Sequence, residues 1–438
     1  MLASLHFIRT SRTRTIGRGL IVLPALLLSL QAQNPAGKTA QAKIEPQLVV
    51  MSESVVLNQW THTLRLVNAP QNLTLLNPGQ CIRVGIYATG EGRDVYLANT
   101  RLGFAVKFAG NRQTFPAAPL AEWKQIKPEG GDSAAGALGA AGVKNPLPTQ
   151  ASMGASAAHW CVPAGAQDGT ATVEAEVKSP GGREKMPATT LQIESFETGS
   201  KRTIKNEKEM EDLLMSYYRQ PEPARLLPML QYFAANNAAI SHPGTAESIA
   251  AFLSAALKDD PVAAKDFEAR LTAQPAFTRA LGLLVLRSAG YDVSQGENKL
   301  GAEDRKKFDS IPPLSDPFDI PMTQAAFMHL DMLWGVFGAT GHFEPVNKIA
   351  STLAWQQDYE AFDKMRKSGE KVLHFTPSVV RGLTYIAAGW SLSSFQRNDS
   401  LVADYIEYMM ASPDESPAVK TELKGLQSNP VFRQPGGK

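Results

Sequence analysis

Three glycines, Gly335, Gly338 and Gly341, stand in the stretch LWGVFGATGHFEPV, Leu333 to Val346. Their spacing suits a turn whose backbone amides cradle a phosphate. The same stretch carries His342 and Glu344, side chains able to ligate an ion. Elsewhere, His329 and Asp331 lie two apart, Asp316 and Asp319 fall in PPLSDPFDIP, and Asp259-Asp260 precedes Pro261. The chain has two cysteines, Cys81 and Cys161. No HExxH zinc motif, GxSxG nucleophile elbow or Walker loop occurs.

Each candidate meets a physical objection. A dinucleotide turn needs a strand before it and a helix after it, so that the helix N-terminus points at pyrophosphate. VFGATG is similar to the GATGxxG turn of the extended short-chain dehydrogenases, but Glu344 stands where the third glycine belongs and its carboxylate would repel phosphate. Upstream, Phe327, Leu330, Leu333, Trp334 and Phe337 recur at helical spacing, so a helix rather than a strand leads in. The stretch therefore reads as a corner between two helices: Gly341 takes positive φ, Pro345 opens the second helix, and Gly335 and Gly338 allow a neighbour to approach closely. His329 and Asp331 would point about 200° apart on a helix and cannot share a metal. His342 and Glu344 lack a second ligand pair. Asp316 and Asp319 are too few for calcium, and Asp260 suits a helix N-cap. No cofactor is expected.

The N-terminus carries Arg9, Arg12, Arg14 and Arg18 before the apolar run LIVLPALLLSL, Leu20 to Leu30. That run is shorter than the ~20 residues needed to span a bilayer. The pattern is that of a secretory signal peptide over 1–32, cleaved after Ala32. Leu30 at the −3 position leaves an uncleaved anchor as the alternative. The segment holds four Arg and no acid, so removing it takes the formal net charge from +2 to −2. A basic surface for nucleic acid is not expected, nor is a membrane span after the signal. In an exported chain an even cysteine count points to a Cys81–Cys161 disulfide.

Composition shifts near residue 200. Over 43–200 short alternating segments, among them CIRVGIYAT, RLGFAVKFAG and GTATVEAEVKS, are separated by NPGQ, TGEG, AGN and SPGG. This is the pattern of an all-β sandwich. In GTATVEAEVKS, Ala171, Val173, Ala175 and Val177 share one face, while Thr172, Glu174, Glu176 and Lys178 share the other. Residues 128–159, rich in Gly, Ala and Ser, read as a flexible insertion. CVPAGAQDGTATVEAEV, Cys161 to Val177, resembles the closing strands of bacterial immunoglobulin-like domains, which implies a sandwich and no ligand.

Over 205–427 apolar residues recur at helical spacing, as in Met210, Leu213, Leu214 and Tyr217, and prolines mark helix starts. A loop is expected over Tyr291–Pro321 and a flexible tail over 428–438. Pro243 to Pro275 and Pro345 to Pro377 span equal lengths, as paired helices of the tetratricopeptide kind would. SYYRQPEPARLLPMLQYF (Ser216–Phe233), IAAFLSAALKDDP (Ile249–Pro261) and LDMLWGVFGATGHFEPVNKIASTLAW (Leu330–Trp355) together resemble an uncharacterised group of exported bacterial proteins with a repeat-like helical domain. The likeness covers about 205–396 and implies no activity. Trp334, Trp355, Tyr385 and Trp390 read as core between helices rather than as a groove.

The expectation is an α+β chain of two segregated domains: an immunoglobulin-like sandwich, then an all-α array of antiparallel pairs. Its expected role is non-catalytic binding or scaffolding in the envelope or periplasm, with a protein or peptide partner. The alternative is a hydrolase whose site is assembled from dispersed residues at the domain junction.

Overall fold

The computed structural model describes residues 44–52, 72–90, 92–120, 152–236, 245–310, 316–320, 327–368 and 376–432. The signal-peptide reading of 1–32, most of the insertion and the last residues of the tail lie outside them.

The chain combines sheets with helices. Strands β1 (Glu45–Ser52), β2 (Leu75–Leu76), β3 (Cys81–Thr89), β4 (Arg101–Phe108), β5 (Asn111–Pro119), β6 (Ser152–Cys161), β7 (Gly169–Ser179), β8 (Gly182–Lys185) and β9 (Thr189–Ile193) precede, among the described residues, every helix except α1 (Arg93–Ala98). One sheet has the order β1-β3-β6 and is antiparallel. The other has the order β2-β9-β7-β4-β5, with β8 also on β7, and is mixed because β2 and β9 run parallel. Ile82, Val84, Ile86 and Trp160 of the first sheet share an apolar cluster with Leu102, Phe104, Val106, Val173, Val177 and Leu191 of the second. The alternation in β7 is as the sequence implies: Ala171, Val173, Ala175 and Val177 are buried, and Glu174 pairs outside with Lys107 and Arg112. Cys81 and Cys161 are directly opposite each other on β3 and β6, their Cα atoms 4.0 Å apart, and form a disulfide.

The helices are α2 (Phe196–Gly199), α3 (Glu207–Ser216), α4 (Leu226–Ala235), α5 (Thr245–Lys258), α6 (Pro261–Leu271), α7 (Ala276–Ser288), α8 (Ser294–Asn298), α9 (Ala302–Ser310), α10 (Phe327–Thr340), α11 (Phe343–Ser351), α12 (Gln356–Lys367), α13 (Pro377–Asn398), α14 (Ser400–Ala411) and α15 (Pro417–Gly425). Their starts follow local chemistry. Asn206, Asp260, Thr376, Asp399 and Ser416 each cap a helix by accepting from a backbone N–H, and Pro261, Pro377 and Pro417 occupy the first helical position.

Helix α10 stands between two helical cores. Its Ala339 joins the cluster built from α3 to α7, and its Leu330, Leu333 and Phe337 join the cluster built from α11, α13, α14 and α15. The close approach expected at its glycines is present. A Cβ on Gly335 would lie 2.7 Å from the Ser248 carbonyl oxygen, and one on Gly338 would collide with that of Leu214.

Three expectations need correction. The loop expected over 291–321 contains α8 and α9. Phe308 is the only large apolar residue of α9, so no periodicity announces that helix, yet its ring is buried beneath the Arg287 guanidinium. The flexible insertion does not extend to 159, because residues 152–161 are strand β6. Its small residues serve packing: Met153 and Ala155 are fully buried, and a Cβ on Gly154 would meet Leu120 at 2.7 Å. The tail is not free from 428, because Pro430–Phe432 forms a 3-10 turn with Phe432 fully buried against Tyr385.

Strand and helical parts meet through side chains that bond to backbone. Asn77 donates to the Glu194 carbonyl at 2.7 Å and accepts from the Ala224 N–H at 3.3 Å. Gln80 donates to the Pro221 carbonyl at 3.2 Å and Gln220 to that of Asn72 at 3.0 Å. Beside these, Arg202 pairs with Glu194 at 2.5 Å and Glu222 at 2.7 Å, and Arg225 pairs with Glu209 at 2.6 Å.

Candidate functional site at the glycine corner

The corner places the residues that the sequence singled out beside polar groups it did not. Helix α10 ends as the Gly341 N–H donates to the Phe337 carbonyl at 2.7 Å, and Gly341 takes φ 66°. Only glycine adopts that conformation without strain. A Cβ there would also lie 2.7 Å from the Tyr218 ring. Thr340 Oγ1 accepts from the His342 N–H at 3.1 Å, and α11 begins at Phe343. Pro345 is thus the third residue of α11 rather than its first; it is buried in the opening turn.

Tyr218 and Tyr405 tie this corner to two other segments. The Tyr218 N–H, just past α3, donates to the Gly338 carbonyl at 3.0 Å. The Tyr405 hydroxyl of α14 donates to the Gly341 carbonyl at 2.6 Å. The Tyr218 hydroxyl donates to Asp399 Oδ1 and Oδ2 at 2.8 and 3.0 Å, and Arg219 adds an ion pair at 3.3 Å. Asp399 Oδ1 also accepts from the Leu401 N–H at 2.9 Å and caps α14. Burial, with the Asp399 charge next in size, holds the Tyr218 phenol well above its ordinary range, so it remains a donor at neutral pH.

One turn further along α14 lies Asp404, 4% exposed, whose Oδ1 has no hydrogen-bond partner among the described residues. Burial above all, then the charges of Glu407 and Asp399, pushes its carboxyl up to about 9. It therefore carries a proton at neutral pH. A protonated acid near a charge-paired carboxylate is the electrostatic pattern of an acid–base pair. Here the Asp399 oxygens are already engaged by a phenol, a guanidinium and a helix N-terminus, which suits a structural pin equally well.

The other sequence candidates are dispersed. His329 Nε2 lies 2.6 Å from the Pro317 carbonyl oxygen, while the Asp331 carbonyl accepts from Ser248 at 2.8 Å. Burial raises the Asp331 carboxyl to about 7. Asp316 Oδ1 accepts from the Phe318 N–H at 2.8 Å, which is turn chemistry. His342 is half-buried at the N-cap of α11, and Glu344 is exposed. Asp260 caps α6 as expected. Trp334 is stacked on Phe395 with ring centroids 3.8 Å apart, Trp355 packs on the same cluster, Tyr385 is fully buried with its hydroxyl 2.6 Å from Glu422, and Trp390 is half-buried. Among the described residues no three of His, Cys, Asp and Glu converge as a metal site, and no helix is long and apolar enough to cross a membrane.

Sequence reasoning passed over Tyr218, Arg219, Asp399, Asp404 and Tyr405. The available signal was Asp404 itself, a carboxylate among the buried Leu401, Val402, Tyr405, Ile406 and Met409 of one short helix. Comparison with protein-family models, curated proteins and solved structures finds no match to this chain.

Proposed function

We propose that the chain is an exported envelope or periplasmic protein with a non-catalytic binding or scaffolding role. In this reading residues 43–200 form an immunoglobulin-like sandwich domain, and the helical residues from 205 onward form an array of antiparallel pairs that holds a protein or peptide partner. The observation that carries the reading is the junction. Asn77, which accepts from the Ala224 N–H, and Gln80 and Gln220, which donate to carbonyls, bond side chain to backbone across it, and the Arg202 and Arg225 ion pairs lie beside them. Such contacts fix the strand part against the helical part, as a scaffold requires. The disulfide accords with an oxidising compartment.

A second reading, a hydrolase, is favoured by the protonated Asp404 near the ion-paired Asp399. These carboxyls belong to the helical part, although Tyr218 and Arg219 lead directly into the junction residue Gln220.

One experiment separates the two. The oxidised chain, tagged and exported, is crosslinked in the periplasm, and the purified chain is screened against ester, amide, glycosidic and phosphoester substrates. The scaffold reading expects a saturable crosslinked protein or peptide and no turnover. Turnover that disappears in Asp404→Asn, together with no crosslinked partner, would establish the hydrolase instead.

A further inference from the structure

The segment Asp316–Ile320 is strapped onto the α10–α11 pair by two side chains. Lys348 Nζ of α11 donates to the carbonyl oxygens of Pro317, Phe318 and Ile320 at 2.9, 2.7 and 3.2 Å. His329 Nε2 of α10 reaches the Pro317 oxygen at 2.6 Å. A carbonyl oxygen only accepts, so His329 carries its proton on Nε2 in this arrangement. The ring is 4% exposed, and its Nδ1 has no hydrogen-bond partner among the described residues.

A second proton would be costly here for two reasons. It would create a buried N–H with no acceptor, and it would place a positive charge beside the Lys348 ammonium, which bonds the same carbonyl. We propose that His329 makes the strap acid-sensitive: the buried ring takes a second proton at Nδ1 only when Asp316–Ile320 has left α10 and α11, so acid favours release of the strap.

The surrounding charges fit this polarity. Burial lowers the His329 pKa most, the bond to Pro317 works against it, and Lys348 is the charged neighbour that lowers it further. Asp316 and Asp319, on the strap, act instead to hold Lys348 charged against its own burial. Asp331, on α10, lies two residues along and thus on another side of the helix. Helix α5 bonds to α10 through Ser248 and carries the exposed Glu247, and α13 meets α10 at the Trp334–Phe395 stack and carries the exposed Arg397. With a pKa below the ordinary histidine value of about 6.5, the ring is neutral in the strapped state, and the released state gains protons as pH falls below that value.

The test is hydrogen exchange of the strap peptide by mass spectrometry at about pH 8 and about pH 5, each rate corrected for intrinsic exchange. The wild-type strap should lose protection about five-fold or more on acidification, because the released state binds the proton that the buried ring refuses, while α7 stays protected. In His329→Gln, whose amide also donates but cannot be protonated, strap protection should not change with pH. Loss in parallel in both proteins overturns the proposal. If the variant does not fold, the wild type decides alone: an unchanged strap, or a strap and α7 that open together, overturns it.

Discussion

The Tyr218 hydroxyl donates to both oxygens of the Asp399 carboxylate, at 2.8 and 3.0 Å, across 181 residues of sequence. This links the end of α3 to the start of α14. The Tyr218 ring also covers Gly341, and its N–H holds the end of α10. One residue therefore joins three segments that lie far apart in the sequence. Tyr218→Phe removes the donor and leaves Asp399 buried with fewer partners. The expected cost is ~2 kcal/mol, as for a hydrogen bond to a charged group. Denaturant unfolding should show a lower midpoint with an unchanged slope. An unchanged midpoint would mean that Arg219 and the helix amides satisfy Asp399 alone.

Gly341→Ala tests the corner directly. The substitution places a Cβ at φ 66° and 2.7 Å from the Tyr218 ring. A strained residue and a displaced ring together should cost ~2–3 kcal/mol. A phosphate-binding turn would respond otherwise, with altered nucleotide affinity and little change in stability. Thermal melts with and without added nucleotide separate these outcomes.

How much the sequence revealed depended on whether a side chain was acting through periodicity. The face of β7, the cap at Asp260, the positive φ at Gly341 and the close approach at Gly335 and Gly338 follow from local rules of alternation, capping and steric freedom. Strand β6 did not, because SMGASAA has the composition of a flexible segment and only the neighbouring Leu120 and β3 show why small residues are needed there. Helix α9 did not, because one phenylalanine makes no pattern. The Tyr218–Asp399 pair did not, because a contact between distant residues leaves no mark on either local stretch. The β-sheet order, with β2 parallel to β9, was hidden for the same reason.

Cys81 and Cys161 join the adjacent strands β3 and β6, beside the junction residue Gln80. Reduction, or the double variant Cys81→Ser/Cys161→Ser, should destabilise the strand part by ~2–4 kcal/mol. Exchange protection should fall in β3 and β6 and persist in α13. Uniform loss over the whole chain would instead make sheets and helices one cooperative unit.

Phe432 is fully buried, with its ring over Gly389 and beside Tyr385. Truncation after Gln427 therefore exposes a core position rather than trimming a tail. Phe432→Ala should cost ~3–5 kcal/mol, the range for emptying a buried aromatic site. Calorimetry should show a loss at least as large in the truncated chain, which gives up Val431 together with the same ring. A truncated chain as stable as the full one would restore the tail reading.

Asp404 offers a prediction with a definite sign. Its folded pKa of about 9 lies far above the unfolded value. An acid raised in this way binds its proton more tightly folded than unfolded. Stability should therefore fall as pH rises from about 4 to about 9, the window between the two values. Asp331, raised to about 7, contributes with the same sign over a narrower window. Asp404→Asn keeps the shape and removes the ionisation, so it should stabilise the chain by ~2–4 kcal/mol at neutral pH. The gain should vanish near pH 4 and grow toward pH 9, and unfolding midpoints across that range measure it. Because a carboxyl that weakens the fold at neutral pH needs a reason to persist, a large gain would strengthen the hydrolase reading. A loss of stability at every pH would instead show that Asp404 holds its place through a hydrogen bond that asparagine cannot make.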